Sequence, residues 1–354
     1  MGRHLGSRRV TIKDIAKAAN VHPSTVTRAL QGSTSVKPDT RERVAALARE
    51  MGYRPNMAAR TLVMRRSHIV GVAIPDMTNP FFADLAHGIE DEAAKHGLRV
   101  LIRNTSGIES AERDAVGFFL ELKVDGVIVP MARCPNEFYE SLAATVPIVH
   151  VNRSEAPHHV SCDSVSGSRA IMEHLLELGH RRIAFISGPT GPGPEPKFRA
   201  YREALEQHGI AYEPDFILTF SGALDDCAEL ADSLMRRAPR PTAVFAWNDL
   251  CAIGLIHALR ERGLDIPRDM SVAGHDDLEI AARLEPPLTT VHWPMYQMGQ
   301  HSIRYLYKLR EGRNAQRPAV PAPELQVRGS TAPVPHSICR APPVPAPAGA
   351  PDLS

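Results

Sequence analysis

The side chains best suited to chemistry fall into two groups, far apart along the chain. The first is polar and cationic: Ser24, Thr25, Thr27 and Arg28 follow Pro23 in one short run, with Thr11 upstream. Hydroxyls and a guanidinium at this spacing can donate to phosphate oxygens and to the acceptor edges of bases. The second group is Asn248, Asp249 and Asp276, each just after a short apolar run. Carboxylates and amides there suit bidentate hydrogen bonding to hydroxyls or amines. Covalent chemistry has no comparable signal. There is no G-x-S-x-G, no H-E-x-x-H and no Gly-rich loop entering a helix. Cys134, Cys162, Cys227, Cys251 and Cys339 include no C-x-x-C pair, so neither a zinc site nor a disulfide framework is indicated. His158, His159, His174 and His180 read as surface or structural residues among 16 dispersed histidines. No catalytic residue, metal or cofactor is assigned.

Charge separates the two groups. Over 354 residues the net charge is only +1, yet residues 1–66 carry 14 Lys+Arg against four Asp+Glu. The remaining residues carry 27 against 36. A basic head on an acidic body predicts that the head alone meets a polyanion. A hydrophobic fraction of 43% argues against wholesale disorder. No run approaches the ~20 apolar residues of a membrane helix, and Met1–Arg9 lacks an apolar signal core, so a cytoplasmic protein is expected.

The head must position its polar residues on helices. Thr11 is a good N-cap with Asp14 at the capping-box position, and Ile12, Ile15, Ala16 and Ala19 recur at helical spacing. Asn20 and Val21 break that run. Pro23 suits the first position of a second helix, whose apolar face is Val26, Ala29 and Leu30. A third helix spans Pro38 to Met51 and stops at Gly52. Two short helices across a tight turn make a helix-turn-helix.

The body alternates apolar runs with amphipathic segments of helical length. Runs at 68–74, 99–102, 126–129 and 148–151 form one series, and runs at 183–186, 216–220, 243–246, 271–273 and 290–292 a second. Such alternation predicts α/β architecture, with parallel sheets covered by helices on both faces. Two series imply two Rossmann-like lobes, with a ligand cleft at the carboxyl ends of the strands. Residues 318–354 hold ten Pro, and 313–354 is expected to be a disordered tail.

The run VTIKDIAKAANVHPSTVTRAL (10–30) and its continuation VKPDTRERVAALAREMGYRPNMAARTL (36–62) resemble the DNA-binding head and hinge of the LacI/GalR family of bacterial transcription regulators. The body is similar to that family's effector-binding core, itself resembling periplasmic sugar-binding proteins, through NPFF (79–82), HLLELGHRRIAFISGP (174–189), FAWNDLCAIG (245–254), DMSVAGHDD (269–277) and PPLTTVHWP (286–294). The expected organisation is a helix-turn-helix domain over 1–54, a hinge helix and linker over 55–66, and a two-lobed core over 67–312. The resemblance implies that Pro23, Ser24 and Arg28 read bases in the major groove, with Arg28 able to pair bidentately with guanine. Thr11, Thr25 and Thr27 would hold phosphates. In the hinge, Asn56, Ala59 and Leu62 would meet the minor groove, Leu62 as an apolar wedge. Effector contacts are expected from Phe81, Asn152, Lys197, Asn248, Asp249, Asp276 and Trp293.

Several positions depart from the family pattern. His22 stands where Ser is usual at the second helix's cap, and Lys197 where an Arg commonly grips the ligand. His275 and Trp293 replace an aromatic residue and a Gln. The implied protein is a repressor that binds a palindromic operator as a homodimer and answers to a small molecule, a sugar or sugar acid. An enzyme on the same doubly wound fold lacks a nucleophile–base pair or metal cluster. A transport component lacks a signal peptide and would not need the basic head.

Overall fold

The structure, a computed structural model, describes residues 10–30, 32–53, 66–192, 196–313 and 315–334. Its contacts divide the chain into two units, one ending at Ser67 and the other starting at His68.

The first unit is built on α1 (Ile12–Ala19), α2 (Pro23–Leu30) and α3 (Pro38–Glu50). The capping box forms as the sequence predicts. Thr11 Oγ1 accepts from the Asp14 backbone N–H at 3.4 Å, and Asp14 returns a carboxylate to the Thr11 N–H at 2.8 Å. Asn20 closes α1 in the left-handed region (φ 50°), and the Val21 N–H reaches back to the Ala16 carbonyl. Ile15, Ala16, Ala19, Val26, Ala29, Val36, Val44 and Ala48 form the core, so all three helices bury the stripe their periodicity marks.

The second unit holds two parallel sheets. One has the order β2-β1-β3-β4-β5, from β1 (Ile69–Ile74), β2 (Arg99–Asn104), β3 (Gly126–Pro130), β4 (Ile148–Val151) and β5 (His159–Val160). The other has the order β7-β6-β8-β9, from β6 (Ile183–Ser187), β7 (Ile217–Thr219), β8 (Ala243–Phe245) and β9 (Ser271–Ala273). Central strands such as β1, β3 and β6 are buried nearly throughout, because helices cover both faces and leave no solvent side for polar residues. The edge strand β2 is the most exposed of the first sheet.

Helices Pro80–Lys95 and Met295–Arg310 pack closely in the first lobe. Gly88 and Gly299 permit this: a Cβ on Gly88 would overlap the Tyr296 carbonyl, and one on Gly299 the Leu85 carbonyl. The chain therefore returns to the first lobe after completing the second. Helix Asn136–Leu142 and helix Asp226–Arg236 were not marked by the sequence pattern.

The disordered tail expected from residue 313 is corrected over 315–334. β11 (Glu324–Gln326) pairs antiparallel with β10 (Thr290–His292), aligning Val291 with Leu325. β10 thus forms a two-stranded ribbon with β11 and meets the second parallel sheet through isolated parallel bridges, Ala273 to Thr289 and Asp276 to His292. Beyond it, fully buried Ser330 donates to the Val272 carbonyl at 2.6 Å, and the Val334 N–H bonds the Leu178 carbonyl. Proline content hid this segment because alternating Pro and polar residues can still lie extended along an edge whose partner supplies the pairing. Residues 335–354 lie outside the described residues.

Candidate DNA-reading helix and inter-lobe site

At the start of α2 the structure groups three exposed side chains, His22 just before the helix and Ser24 and Arg28 on it. Ser24 and Arg28 are one helical turn apart, and an Arg28 guanidinium nitrogen lies 3.4 Å from Ser24 Oγ. His22 takes the capping role left by the missing Ser: its Nδ1 accepts from the Ser24 N–H at 3.3 Å and lies 2.8 Å from Ser24 Oγ. The sequence flagged His22 as a departure without showing that an imidazole could serve. Pro23 is half-buried at the start of the helix.

The three threonines differ. Thr11 donates its hydroxyl to the Asp14 carboxylate at 2.7 Å, and Thr27 donates to the Pro23 carbonyl at 3.2 Å. Both hydroxyl protons are thus used within the head, whereas a phosphate contact requires donation. Thr25 makes no side-chain hydrogen bond among the described residues. Asn56, Ala59 and Leu62 lie outside the described residues.

The second site lies between the lobes of the larger unit. Phe81 is in the first turn of the Pro80–Lys95 helix, which Asn79 caps by accepting the Phe81 N–H at 3.0 Å. Its ring meets Trp293 edge to face, with centroids 6.2 Å apart. Trp293 follows β10 and enters the first lobe's last helix, while His275 follows β9 of the second lobe. The Trp293 indole N–H donates to His275 Nδ1 at 3.1 Å. Asp276 is next in sequence, at the carboxyl end of β9, its side chain 7% exposed. Burial pushes the Asp276 carboxyl well above the usual carboxylate range, opposed by the nearby Lys197 charge.

His275 Nδ1 and Asp276 Oδ1 are 3.8 Å apart, but this is no ion pair. An Nδ1 that accepts from Trp293 carries no proton, and burial holds the His275 imidazole neutral. Lys197, in the first turn of the Pro196–Gln207 helix, donates to the Trp247 carbonyl and lies 5.8 Å from the centre of that indole.

Asn248 and Asp249 differ from the sequence expectation. Asn248 caps the Asp249–Glu261 helix, its Oδ1 accepting the Cys251 N–H at 2.9 Å. Asp249 is fully buried and accepts from the Leu278 N–H at 2.8 Å and from the Thr290 hydroxyl. It ties the loop after β9 to β10, and its carboxyl is pushed up to about 6 by burial. Asp249 is therefore a loop-bracing carboxylate, whereas the Asn248 amide nitrogen makes no hydrogen bond among the described residues. Asn152 sits at the carboxyl end of β4 in the left-handed region (φ 57°), with its N–H on the Val160 carbonyl. Among the described residues its Nδ2 is buried without a hydrogen-bond partner, and it forms no hydrogen bond to the Trp293 group. The geometry thus brings Phe81, Lys197, Asp276 and Trp293 into one neighbourhood and adds His275 and Trp247.

The bacterial regulatory protein profile of the lacI family matches residues 11–56, and a periplasmic binding protein-like domain matches residues 172–331. Catabolite control protein A of Priestia megaterium is 32% identical over 332 residues, covering 91% of this chain and 99% of that one. The chain belongs to the lacI family of bacterial regulatory proteins. The ribose operon repressor of Halalkalibacterium halodurans, another lacI relative, is 34% identical over 84% of this chain and 89% of its own length. A lac repressor dimer bound to operator and the anti-inducer ONPF superimposes with TM-score 0.82 at 26% identity, covering 92% of this chain and all of that one. A CelR–cellobiose complex matches with TM-score 0.66 at 29% identity, covering 91% of this chain and all of that one. Like these lacI-family relatives, the protein is a DNA-binding transcription regulator and not an enzyme. The expected fold, a helix-turn-helix head with two α/β lobes, is the observed one. No helix among the described residues is long and apolar enough to cross a membrane.

Proposed function

We propose that the protein is a repressor that binds a palindromic operator as a homodimer and changes its grip when a sugar or sugar acid enters between the lobes. The observation that carries the effector half is Asp276: a nearly buried carboxyl beside Lys197, with no hydrogen-bond donor on it among the described residues. Its place at the carboxyl end of a parallel strand is where open α/β sheets take ligands. A ligand hydroxyl or amine would supply the missing donor. Phe81 and Trp293 would cover its apolar face, and Asn152 Nδ2 would meet an acceptor.

On DNA, Ser24 and Arg28 would read base edges, with Pro23 offering apolar contact and Thr25 reaching phosphate. Asn56, Ala59 and Leu62 would form the minor-groove hinge. Dimerisation follows from geometry, since one head offers few base contacts and two-fold half-sites mirror a two-fold protein. The CelR complex with cellobiose and the ribose operon repressor support a carbohydrate effector. The experiment is selection of bound sequences from random duplex DNA at fixed salt. Screening of monosaccharides and sugar acids for release of the selected duplex follows. A palindrome with half-sites about one helical turn apart, released by a panel member, is the expected result. A non-palindromic or absent motif overturns the operator reading, and a palindrome indifferent to the panel overturns the carbohydrate reading.

A further inference from the structure

The Trp293–His275 hydrogen bond does not end at the imidazole. His275 Nε2 lies 3.3 Å from Ser168 Oγ, and Ser168 is fully buried in the Ser164–Glu177 helix. Indole can only donate, so His275 Nδ1 must carry its lone pair and Nε2 its proton. The direction of the chain is thereby set: Trp293 donates to His275, and His275 donates to Ser168. Every member is at most 5% exposed, so no bulk water competes for these bonds.

Topology gives the chain its meaning. Ser168 lies in the first helix after the strand connection that leaves β5, and Trp293 immediately follows the returning strand β10. His275 is held in place between them by the second lobe's sheet. Its ring is roughly parallel to Phe245 at 6.2 Å, and the adjoining Asp276 N–H bonds the Val291 carbonyl. Phe81 closes the far side of Trp293.

We infer that His275 is a positioning residue which, backed by Ser168, fixes the Trp293 ring across the lobe junction and occupies its only polar group. Resting on the effector reading above, this adds a rule of specificity. A bound molecule meets Trp293 as an apolar ring and never as a donor. Its polar groups must then be read by Asp276 and Lys197, so compounds with a C–H face opposite a hydroxylated edge are favoured over uniformly polar ones.

The spectroscopic test uses the full-length protein in a Trp247→Phe background, which leaves one indole, labelled with 15N, whereas the release assay keeps Trp247. The Trp293 indole proton should resonate downfield and exchange slowly with water. 15N-labelled histidine should show a neutral, Nε2-protonated imidazole from pH 5 to pH 8 whose signal is lost in His275→Phe, which separates it from that of buried His180. His275→Phe should shift the indole proton upfield and speed its exchange, whereas His275→Gln, whose carbonyl can still accept, should restore it. For a carbohydrate that releases the operator, His275→Phe should raise the half-release concentration about five- to tenfold, the scale of one lost hydrogen bond, and His275→Gln less than twofold. An indole resonance unchanged by His275→Phe overturns the lock itself. An intact lock whose loss leaves half-release unchanged overturns the positioning role. If no carbohydrate releases the operator, the effector reading fails, the specificity rule falls with it, and the indole signal still decides the lock.

Discussion

Glu92 and Arg304 form a two-point ion pair between the Pro80–Lys95 and Met295–Arg310 helices, with Nε to Oε1 at 2.8 Å and the second pair at 2.9 Å. The Arg304 hydrogen bonds, with Lys95 assisting, hold the Glu92 carboxyl down to about 2. A carboxylate lowered by folding contributes stability above its ordinary pKa and loses it as pH falls through the folded value. Glu92→Gln should therefore destabilise the protein by about 2 kcal/mol at neutral pH, discounted for the half-exposed Arg304. The loss should shrink as pH falls from about 4.5 toward 2. Urea denaturation of both proteins across that range checks it; a pH-independent difference rejects the electrostatic account.

Asp249 runs the opposite way. Its folded carboxyl, at about 6, lies above the ordinary aspartate value of 3.8. Its contribution is full below the unfolded pKa and is lost as pH rises through the folded one. Stability should then decline by about 2–3 kcal/mol between pH 4 and pH 7 from this group. Asp249→Asn should flatten that part of the stability profile. Asp249→Ala should cost about 2–4 kcal/mol, because it leaves the Leu278 N–H and Thr290 hydroxyl without their acceptor.

Arg28 tests the head. Arg28→Ala should relax preference at one base pair per half-site, by about 1–3 kcal/mol, while leaving binding to random duplex nearly unchanged. Competition binding at fixed salt measures both. Equal loss on specific and random DNA would make Arg28 a phosphate contact.

The C-terminal segment should be structural. Truncation after residue 334 is expected to leave the melting temperature within a few degrees of the full chain. Truncation after residue 314 removes the β11 ladder, Ser330 and the Ala332 carbonyl that faces buried His180 Nε2. That shorter chain should be insoluble or melt at least about 10 °C lower. Equal thermal stability would refute the role of this strand.

Asp276 predicts a proton linkage. A ligand that donates to the carboxylate stabilises its charged form and lowers the raised pKa. Effector binding should then release a fraction of a proton and tighten as pH rises. Calorimetry in buffers of different ionisation enthalpy reads the proton count directly. Binding with no proton release would separate Asp276 from the ligand.

The sequence by itself determined the elements that repeat or cap. The three head helices were legible because Thr11, Asp14 and the Ile15–Ala19 stripe are local signals, resolved within one or two turns. Parallel strands were legible because burial on both faces leaves continuous apolar runs. Tertiary structure alone decided how the side chains were used. Asp249 and Asp276 look alike in sequence, yet one braces two loops and the other has no donor among the described residues. Trp293 was readable as an aromatic near a cleft, but its N–H is committed to a residue 18 positions away. The Pro-rich segment became a strand only because β10 offered it an unpaired edge. Local propensity acts over a few residues, whereas hydrogen-bond satisfaction in a buried site is settled by whichever distant groups the fold brings within 3 Å or so.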